Sequence, residues 1–166
     1  GLSGLVVADD TDSPFAARWP GQRVFYIANP ITNRIQIVTL AEDEKGRPIY
    51  KKQEDFLVSS DEWFRPVSIQ FGPDGCLYIA DWYNKIISHN EVPRNHPDRD
   101  KTRGRIWRVK AKSVAPVQPP DLTKLPAEDL VKQLDAPNAR VARMAWAELG
   151  DRKDENVVPT LNKLAG

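Results

Sequence analysis

The fold is decided by the stretch Phe64-Arg-Pro-Val-Ser-Ile-Gln-Phe-Gly-Pro-Asp-Gly-Cys-Leu-Tyr-Ile-Ala-Asp-Trp-Tyr-Asn84. Its segment 67–71 alternates apolar and polar residues, which is typical of a half-buried β-strand. Gly72-Pro-Asp-Gly75 combines the fixed φ of a proline with two permissive glycines, and this predicts a tight turn. Segment 76–80 is rich in residues that favour a pleated sheet and predicts a second strand. The stretch therefore predicts a β-hairpin followed by a polar turn.

A weaker copy of this hairpin lies upstream. Tyr26-Ile-Ala-Asn29 matches Tyr78-Ile-Ala-Asp81, and Asn33-Arg-Ile35 matches Asn84-Lys-Ile86. A repeat of roughly 40 to 50 residues with four short strands per unit is typical of the blades of a β-propeller. Because the matches are short, chance similarity of two hairpins is the alternative.

Each repeat is predicted to form a four-stranded blade. The first blade is expected to use Gly4–Val7, Arg23–Ala28, Arg34–Leu40 and an outer strand around Ile49–Phe56. The second is expected to use Val67–Phe71, Leu77–Ala80, Lys85–Ser88 and Arg105–Val109, the last as its outer strand. A complete propeller needs about four to eight blades. Residues 1–110 are therefore predicted to be two blades, the closing ones, of an incomplete propeller.

Composition excludes several classes of partner and anchor. The chain has 24 basic and 23 acidic residues, so its formal net charge of +1 predicts no nucleic-acid partner. No apolar run is long enough for a transmembrane segment, and the start of the chain does not have the pattern of a signal peptide. The one cysteine, Cys76, is expected to be a buried strand residue.

The last third of the chain has helical periodicity. Residues 111–120 are rich in proline and predict a linker. Residues 121–166 predict a helix over Leu125–Leu134, a break at Asp135–Asn138, a helix that ends at Gly150, and a third helix. The apolar positions predicted to face inward are Val141, Met144, Ala145 and Leu149 in the second helix and Val157, Val158, Leu161 and Leu164 in the third. Their spacing matches the start of an α-solenoid of HEAT-like repeats, so the predicted fold class is mainly β with a C-terminal α part.

Four segments together resemble a specific family. They are Ser60-Asp-Glu-Trp-Phe-Arg-Pro-Val67, Gly72-Pro-Asp-Gly75, Leu77-Tyr-Ile-Ala-Asp-Trp-Tyr83 and Gly104-Arg-Ile-Trp-Arg-Val109. They are similar to segments of large bacterial membrane-bound dehydrogenases of the planctomycete type. Those proteins resemble soluble quinoprotein sugar dehydrogenases, and HEAT-like repeats and a cytochrome c segment often follow their propeller.

The resemblance implies a parent protein with pyrroloquinoline quinone, calcium and haem c as cofactors, in a periplasmic or membrane-associated location. The haem motif Cys-x-x-Cys-His does not occur in this chain, and the catalytic histidine of such enzymes lies in an earlier blade. The chain is therefore expected to be a fragment with no catalytic residue, inactive alone, whose partners are the rest of the propeller and solenoid and a sugar or alcohol substrate. The alternative is a non-catalytic module in which propeller and HEAT repeats bind other proteins.

Blade geometry predicts which residues line the mouth of the channel. The segment before the inner strand and the turn between the second and third strands share one rim, where Arg65, Asp81, Trp82 and Tyr83 are the candidate cofactor-binding residues. Arg65 could pair with a carboxylate of a quinone, or form an ion pair with Asp61 or Glu62. Asp81 could bind calcium or cap its turn, and the two aromatic residues could stack on a sugar or pack between blades.

A second candidate is the charged loop that contains His89, Arg94, His96 and Arg103. The two histidines are seven residues apart in an irregular segment, which matches no standard metal spacing, so no metal ligand is predicted. In the predicted layout the loop joins the third and fourth strands, on the rim away from the channel mouth. It is expected either to be a solvated surface or to dock the solenoid or a partner.

Overall fold

The computed structural model describes residues 2–8, 13–87 and 91–165. Within these ranges the chain is mainly β with a C-terminal helical part, as the sequence predicts. The strands are β1 (Leu5–Val7), β2 (Arg23–Asn29), β3 (Arg34–Glu42), β4 (Pro48–Lys52), β5 (Leu57–Val58), β6 (Pro66–Phe71), β7 (Leu77–Asp81) and β8 (Arg105–Val109). The helices are α1 (Ala127–Lys132), α2 (Ala139–Arg152) and α3 (Val158–Ala165).

The first sheet is open and antiparallel, in the order β1-β2-β3-β4, and β5 also pairs with β3. The outer strand predicted around Ile49–Phe56 is wrong in its extent, because β4 ends at Lys52 and the next strand that pairs with β3, β5, begins only at Leu57. Residues 53–56 between them bulge away from the ladder, although Gln53 and Phe56 still donate backbone hydrogen bonds to β3. The bulge turns the Phe56 ring toward Phe15 and Tyr26, with centroids 6.0 and 5.1 Å away. The gap between β4 and β5 thus coincides with the entry of the Phe56 ring into the aromatic core.

The second sheet has three strands in the part of the chain that the structure describes, in the order β6-β7-β8. The predicted third strand Lys85–Ser88 is not formed, since residues 85–87 lie in a loop and Ser88 is outside the described residues. β8, predicted as the outer strand, pairs directly with β7 and places Trp107 opposite Ile79. Over the described residues the second unit therefore has three strands instead of the predicted four, and β8 is the third.

The two sheets share one hydrophobic core. It contains buried side chains from both sheets, such as Ile35 and Ile37 of the first and Ile69 and Ile79 of the second. Tyr26 is 2% exposed, its hydroxyl donates a 2.7 Å hydrogen bond to the Phe15 carbonyl, and burial raises its pKa to about 12. Face-to-face burial of apolar side chains is the main force that holds the sheets together.

The first strands of the two sheets run close to each other. The Ser3 hydroxyl, just before β1, donates a 2.8 Å hydrogen bond to the Val67 carbonyl in β6. Gly4 has a φ of +69°, and a Cβ atom there would lie 2.9 Å from the Ser68 Cα atom. Only glycine combines this backbone conformation with such a close approach.

The helical part has its own core and is docked on the second sheet. Val141, Ala145, Leu149 and Val157 are buried as predicted, but the inward positions predicted for Met144, Val158 and Leu164 are wrong, since these side chains are 41%, 46% and 64% exposed. α2 continues two residues past the predicted end at Gly150, and Lys153 caps it in the left-handed conformation. Among the described residues, no helix has both the length and the apolar character that crossing a membrane requires.

Two segments attach the helices to the turn between β6 and β7. The Val117 N–H, in the proline-rich segment, donates a 3.1 Å hydrogen bond to the Asp74 carbonyl. The Arg140 Nε atom donates a 2.9 Å hydrogen bond to the Phe71 carbonyl. The proline-rich segment therefore lies against the sheet instead of extending freely from it.

We expect Gly4→Ala to be markedly more destabilising than Gly46→Ala. Both glycines have a positive φ, which costs roughly 1–2 kcal/mol for a residue with a Cβ atom. A Cβ at Gly46 meets open space, whereas one at Gly4 collides with the backbone of β6. Urea unfolding of the two variants measures the difference, and equal losses would contradict the close approach of β1 and β6.

Candidate functional site

Three segments meet at one end of the two sheets: the turn after β2, the segment before β6 and the turn after β7. The structure brings Arg65 together with Asn33, Asp81 and Asn84, as the predicted common rim requires. The positions follow from the repeat, because β2 and β7 both end in an Asx residue whose side chain accepts a hydrogen bond from the turn that follows.

Arg65 lies at the centre of this cluster and is only 8% exposed. Its Nε atom donates to the Asn84 carbonyl at 2.9 Å, and its Nη2 atom donates to the Lys85 carbonyl at 2.9 Å. Its Nη1 atom donates to the Pro30 carbonyl at 3.0 Å and to the Asn33 side chain. The guanidinium group thus connects the turn of the first sheet with the turn of the second, and we call these contacts the Arg65 clamp.

The predicted ion pair of Arg65 with Asp61 or Glu62 is not among its side-chain contacts. The acidic residues predicted as alternative partners bind other bases, since Asp61 pairs with Arg105 at 2.8 Å and Glu62 pairs with Lys85 at 3.1 Å. Backbone carbonyls and an amide, which are neutral acceptors, surround the Arg65 guanidinium instead. Most of its donors are used by protein atoms, so little capacity is left for a ligand carboxylate.

Asp81 is also enclosed by protein donors. Its Oδ1 atom accepts from the backbone N–H groups of Arg65 and Tyr83 at 2.8 and 2.9 Å. Its Oδ2 atom accepts from Arg105 Nε at 2.7 Å and from Trp107 Nε1 at 3.0 Å. The turn-capping interpretation is confirmed by the bond to Tyr83, and four donors occupy the oxygens that a calcium ion would need.

The two aromatic candidates have different surroundings. Trp82 is 41% exposed. Tyr83 has a left-handed backbone with a φ of 53°, and its ring stacks on Trp63 at a centroid distance of 5.3 Å. The Arg105 guanidinium lies 4.2 Å from the Tyr83 centroid, within range of a cation–π interaction. Ligand contact by either ring stays a prediction, and protein packing already accounts for Tyr83.

The charged loop lies on the same rim as Arg65, and its predicted position on the opposite rim is wrong. It leaves the end of β7 and returns to the start of β8, and because these strands are neighbours, both of its ends are at this rim. The Asn84 side chain donates a 2.8 Å hydrogen bond to the Asp100 carbonyl and fastens the loop to the Arg65 cluster. His89 lies outside the described residues.

The other three candidates of the loop, Arg94, His96 and Arg103, line one groove of about 500 Å³ together with Trp63. The His96 Nδ1 atom accepts a 3.2 Å hydrogen bond from the Asp98 N–H. Arg103 pairs with the Asp100 carboxylate. In the described ranges, no group of three His, Cys, Asp or Glu side chains is placed to hold a metal ion.

Asp100 organises the second half of this loop, and the sequence interpretation missed it. Its carboxylate accepts hydrogen bonds from the backbone and hydroxyl of Thr102 and from the backbone and Nε of Arg103. The backbone N–H of Thr102 is the largest influence that lowers the Asp100 pKa, which falls to about 2. The signal was present as Asp-x-Thr-Arg, a spacing typical of an Asx turn.

Arg105 was missed as well. It bridges Asp61 and Asp81 and covers the Tyr83 ring, so it holds the segment before β6 against the end of β7. Its hydrogen bond is the largest influence that lowers the pKa of Asp61. Arg105 and Trp107 are two apart in β8 and so lie on one face of the sheet, and the alternation of this strand was the available signal.

We expect Arg65→Met to lower the free energy of unfolding by about 3 kcal/mol or more, because several buried carbonyls lose their donor. Arg65→Lys is expected to recover little, since an ammonium group cannot reproduce the planar fork. Arg47→Gln, on an exposed turn, is the matched control and should change stability by less than about 0.5 kcal/mol. Chemical denaturation measures all three, and a stable Arg65→Met protein would contradict the clamp.

We expect the amide signals of Thr102 and Arg103 to titrate together with a midpoint near pH 2. The folded pKa of Asp100 is below its ordinary value of about 3.9, so its contribution is complete above that pH and is lost as the pH falls toward 2. Nuclear magnetic resonance spectra from pH 6 to acid test this, with Asp100→Asn as the control without the transition. A midpoint at the ordinary value would show that the loop is not held by this carboxylate.

The chain was compared with protein families, curated proteins and solved structures. The profile of a family described as a domain of unknown function, DUF7133, matches residues 3–113. No significant match is found among curated proteins or among solved structures. The matched region contains both sheets, the Arg65 cluster and the charged loop, and it accounts for most of the chain. The chain therefore belongs to the DUF7133 family of domains.

Proposed function

We propose that the two sheets are neighbouring blades of a β-propeller, and that this propeller belongs to a quinoprotein-type sugar or alcohol dehydrogenase. The observation that carries the proposal is the repeated unit. Each sheet is antiparallel, its first strand lies beside that of the other sheet, and its second strand ends in an Asx-capped turn with a left-handed residue, Asn33 or Tyr83. Radial sheets with adjacent inner strands are the arrangement of propeller blades.

The enzyme class rests on the sequence resemblance. Two blades cannot close a ring, so the proposal requires further blades that carry the catalytic histidine. A haem c domain and a periplasmic or membrane-associated location belong to the same proposal.

Within such a protein this chain supplies framework. Most of the Arg65 donors and the Asp81 acceptors are taken by protein groups, so these two residues fit a quinone carboxylate or a calcium ion poorly. Pyrroloquinoline quinone and calcium would therefore be held by other blades. The clamp at Arg65 fixes the angle between its two blades, and with it the shape of the rim that they present.

The second candidate function is a non-catalytic interaction module, with HEAT-like repeats as one of its binding surfaces. It is favoured by the docked helices, because Arg140 holds α2 against the turn after β6. Trp146 on α2 is 72% exposed, and a cavity of about 740 Å³ opens between α2 and α3. Apolar surface of this kind is typical of a stacking or binding face.

One assay distinguishes the two candidate functions. The longest natural protein that contains this chain should oxidise sugars or alcohols with an artificial electron acceptor after addition of pyrroloquinoline quinone and calcium. The isolated chain is the matched control and should show no turnover, because it supplies no catalytic group. An inactive long protein that retains bound quinone and calcium would refute the dehydrogenase proposal and leave the interaction module.

A further inference from the structure

We propose that the groove between Trp63 and residues 94–103 binds a small sugar acid, a carbohydrate ring that carries a carboxylate. The inference concerns this chain's own loop and does not depend on the oxidoreductase proposal. The groove has a volume of about 500 Å³, which is within the range of small-molecule sites.

The charge of the groove selects an anion. Among the described residues that line it, Arg94, Arg99, Lys101 and Arg103 are basic and Asp100 alone is acidic. That carboxylate is 5% exposed and occupied by Thr102 and Arg103, so it offers little negative charge to a ligand. Arg94 and Lys101 are exposed, and a guanidinium can bind a carboxylate through two parallel hydrogen bonds.

The groove is also organised in advance. The Arg99 side chain donates hydrogen bonds to the carbonyls of Val92 and Pro93 at 3.0 and 3.1 Å and ties the first half of the loop together. Asp100 holds the second half, and Asn84 fastens its backbone to the clamp. A loop held in this way loses less conformational entropy when a ligand binds.

One wall of the groove favours a ring. Trp63 is half-buried and stacked on Tyr83, so its position is fixed by contacts outside the groove. An indole provides a flat apolar surface for the C–H face of a sugar. Asn95, His96 and Thr102 add hydrogen-bonding groups for hydroxyls along the same groove. This combination fits a sugar acid better than a bare anion or a neutral sugar.

The position of the groove adds a functional consequence. It opens on the same rim as the Arg65 cluster, the end that the propeller proposal assigns to the channel mouth. A sugar acid bound there would lie beside the end of β7.

Calorimetric titration with glucuronate, glucose, acetate and inorganic phosphate tests the inference on the full chain. We expect glucuronate to bind at least about ten times more tightly than glucose, which lacks the carboxylate, and than acetate, which lacks the ring. Glucuronate should also bind more tightly than phosphate. Equal affinities for glucuronate and glucose, or stronger binding of phosphate, would overturn the proposal. So would the absence of glucuronate binding at about 10 mM.

Two matched variants locate the site. Arg94→Gln removes an exposed charge from the groove and should weaken glucuronate binding by roughly five- to tenfold. Arg23→Gln removes an exposed charge at the far end of β2 and should change it by less than about twofold. Both positions are on the surface, so both variants should fold, and thermal melting confirms this. Equal effects of the two variants would refute binding in the groove.

Discussion

The hydrogen bonds of the buried Arg65 guanidinium group determine how the turns after β2 and β7 are arranged at one end of the two sheets. A buried positive charge is costly unless its donors are satisfied, and here the acceptors come from two sheets that are distant in sequence. The carbonyls of Pro30, Asn84 and Lys85 need a donor as much as the guanidinium needs acceptors. Through these bonds Arg65 couples the turn after β2 to the turn after β7 and joins the two sheets at this end.

The same constraint explains where sequence interpretation succeeded and where it was wrong. The hairpin of β6 and β7 was predictable, because alternation and the Gly-Pro-Asp-Gly turn act over short distances. Lys85–Ser88 was assigned to a strand because Asn84-Lys-Ile86 matches Asn33-Arg-Ile35 in the repeat. The carbonyls of Asn84 and Lys85 are instead held by Arg65, which draws the chain away from β7. These hydrogen bonds span 19 and 20 residues, and no strand or turn pattern in the sequence indicates them.

The candidate site shows a similar division. The gathering of Arg65, Asp81 and Asn84 at one rim could be predicted from the hairpin, since the segment before β6 and the turn after β7 lie at the same end of two antiparallel neighbours. The position of the charged loop could not, because it depends on the order of strands. One strand fewer before β8 moves the loop from one rim to the other. The missed residues, Asp100 and Arg105, act through contacts that the sequence shows only as isolated Asx and alternation signals.

The proline-rich segment after β8 has a mechanical consequence. The Val117 N–H donates a hydrogen bond to the Asp74 carbonyl, and Arg140 donates one to the Phe71 carbonyl at the start of the same turn. A displacement of α2 is thus transmitted to the β6–β7 turn, because the connecting segment is not a flexible linker. A partner that binds the helices would therefore act directly on the turn between β6 and β7.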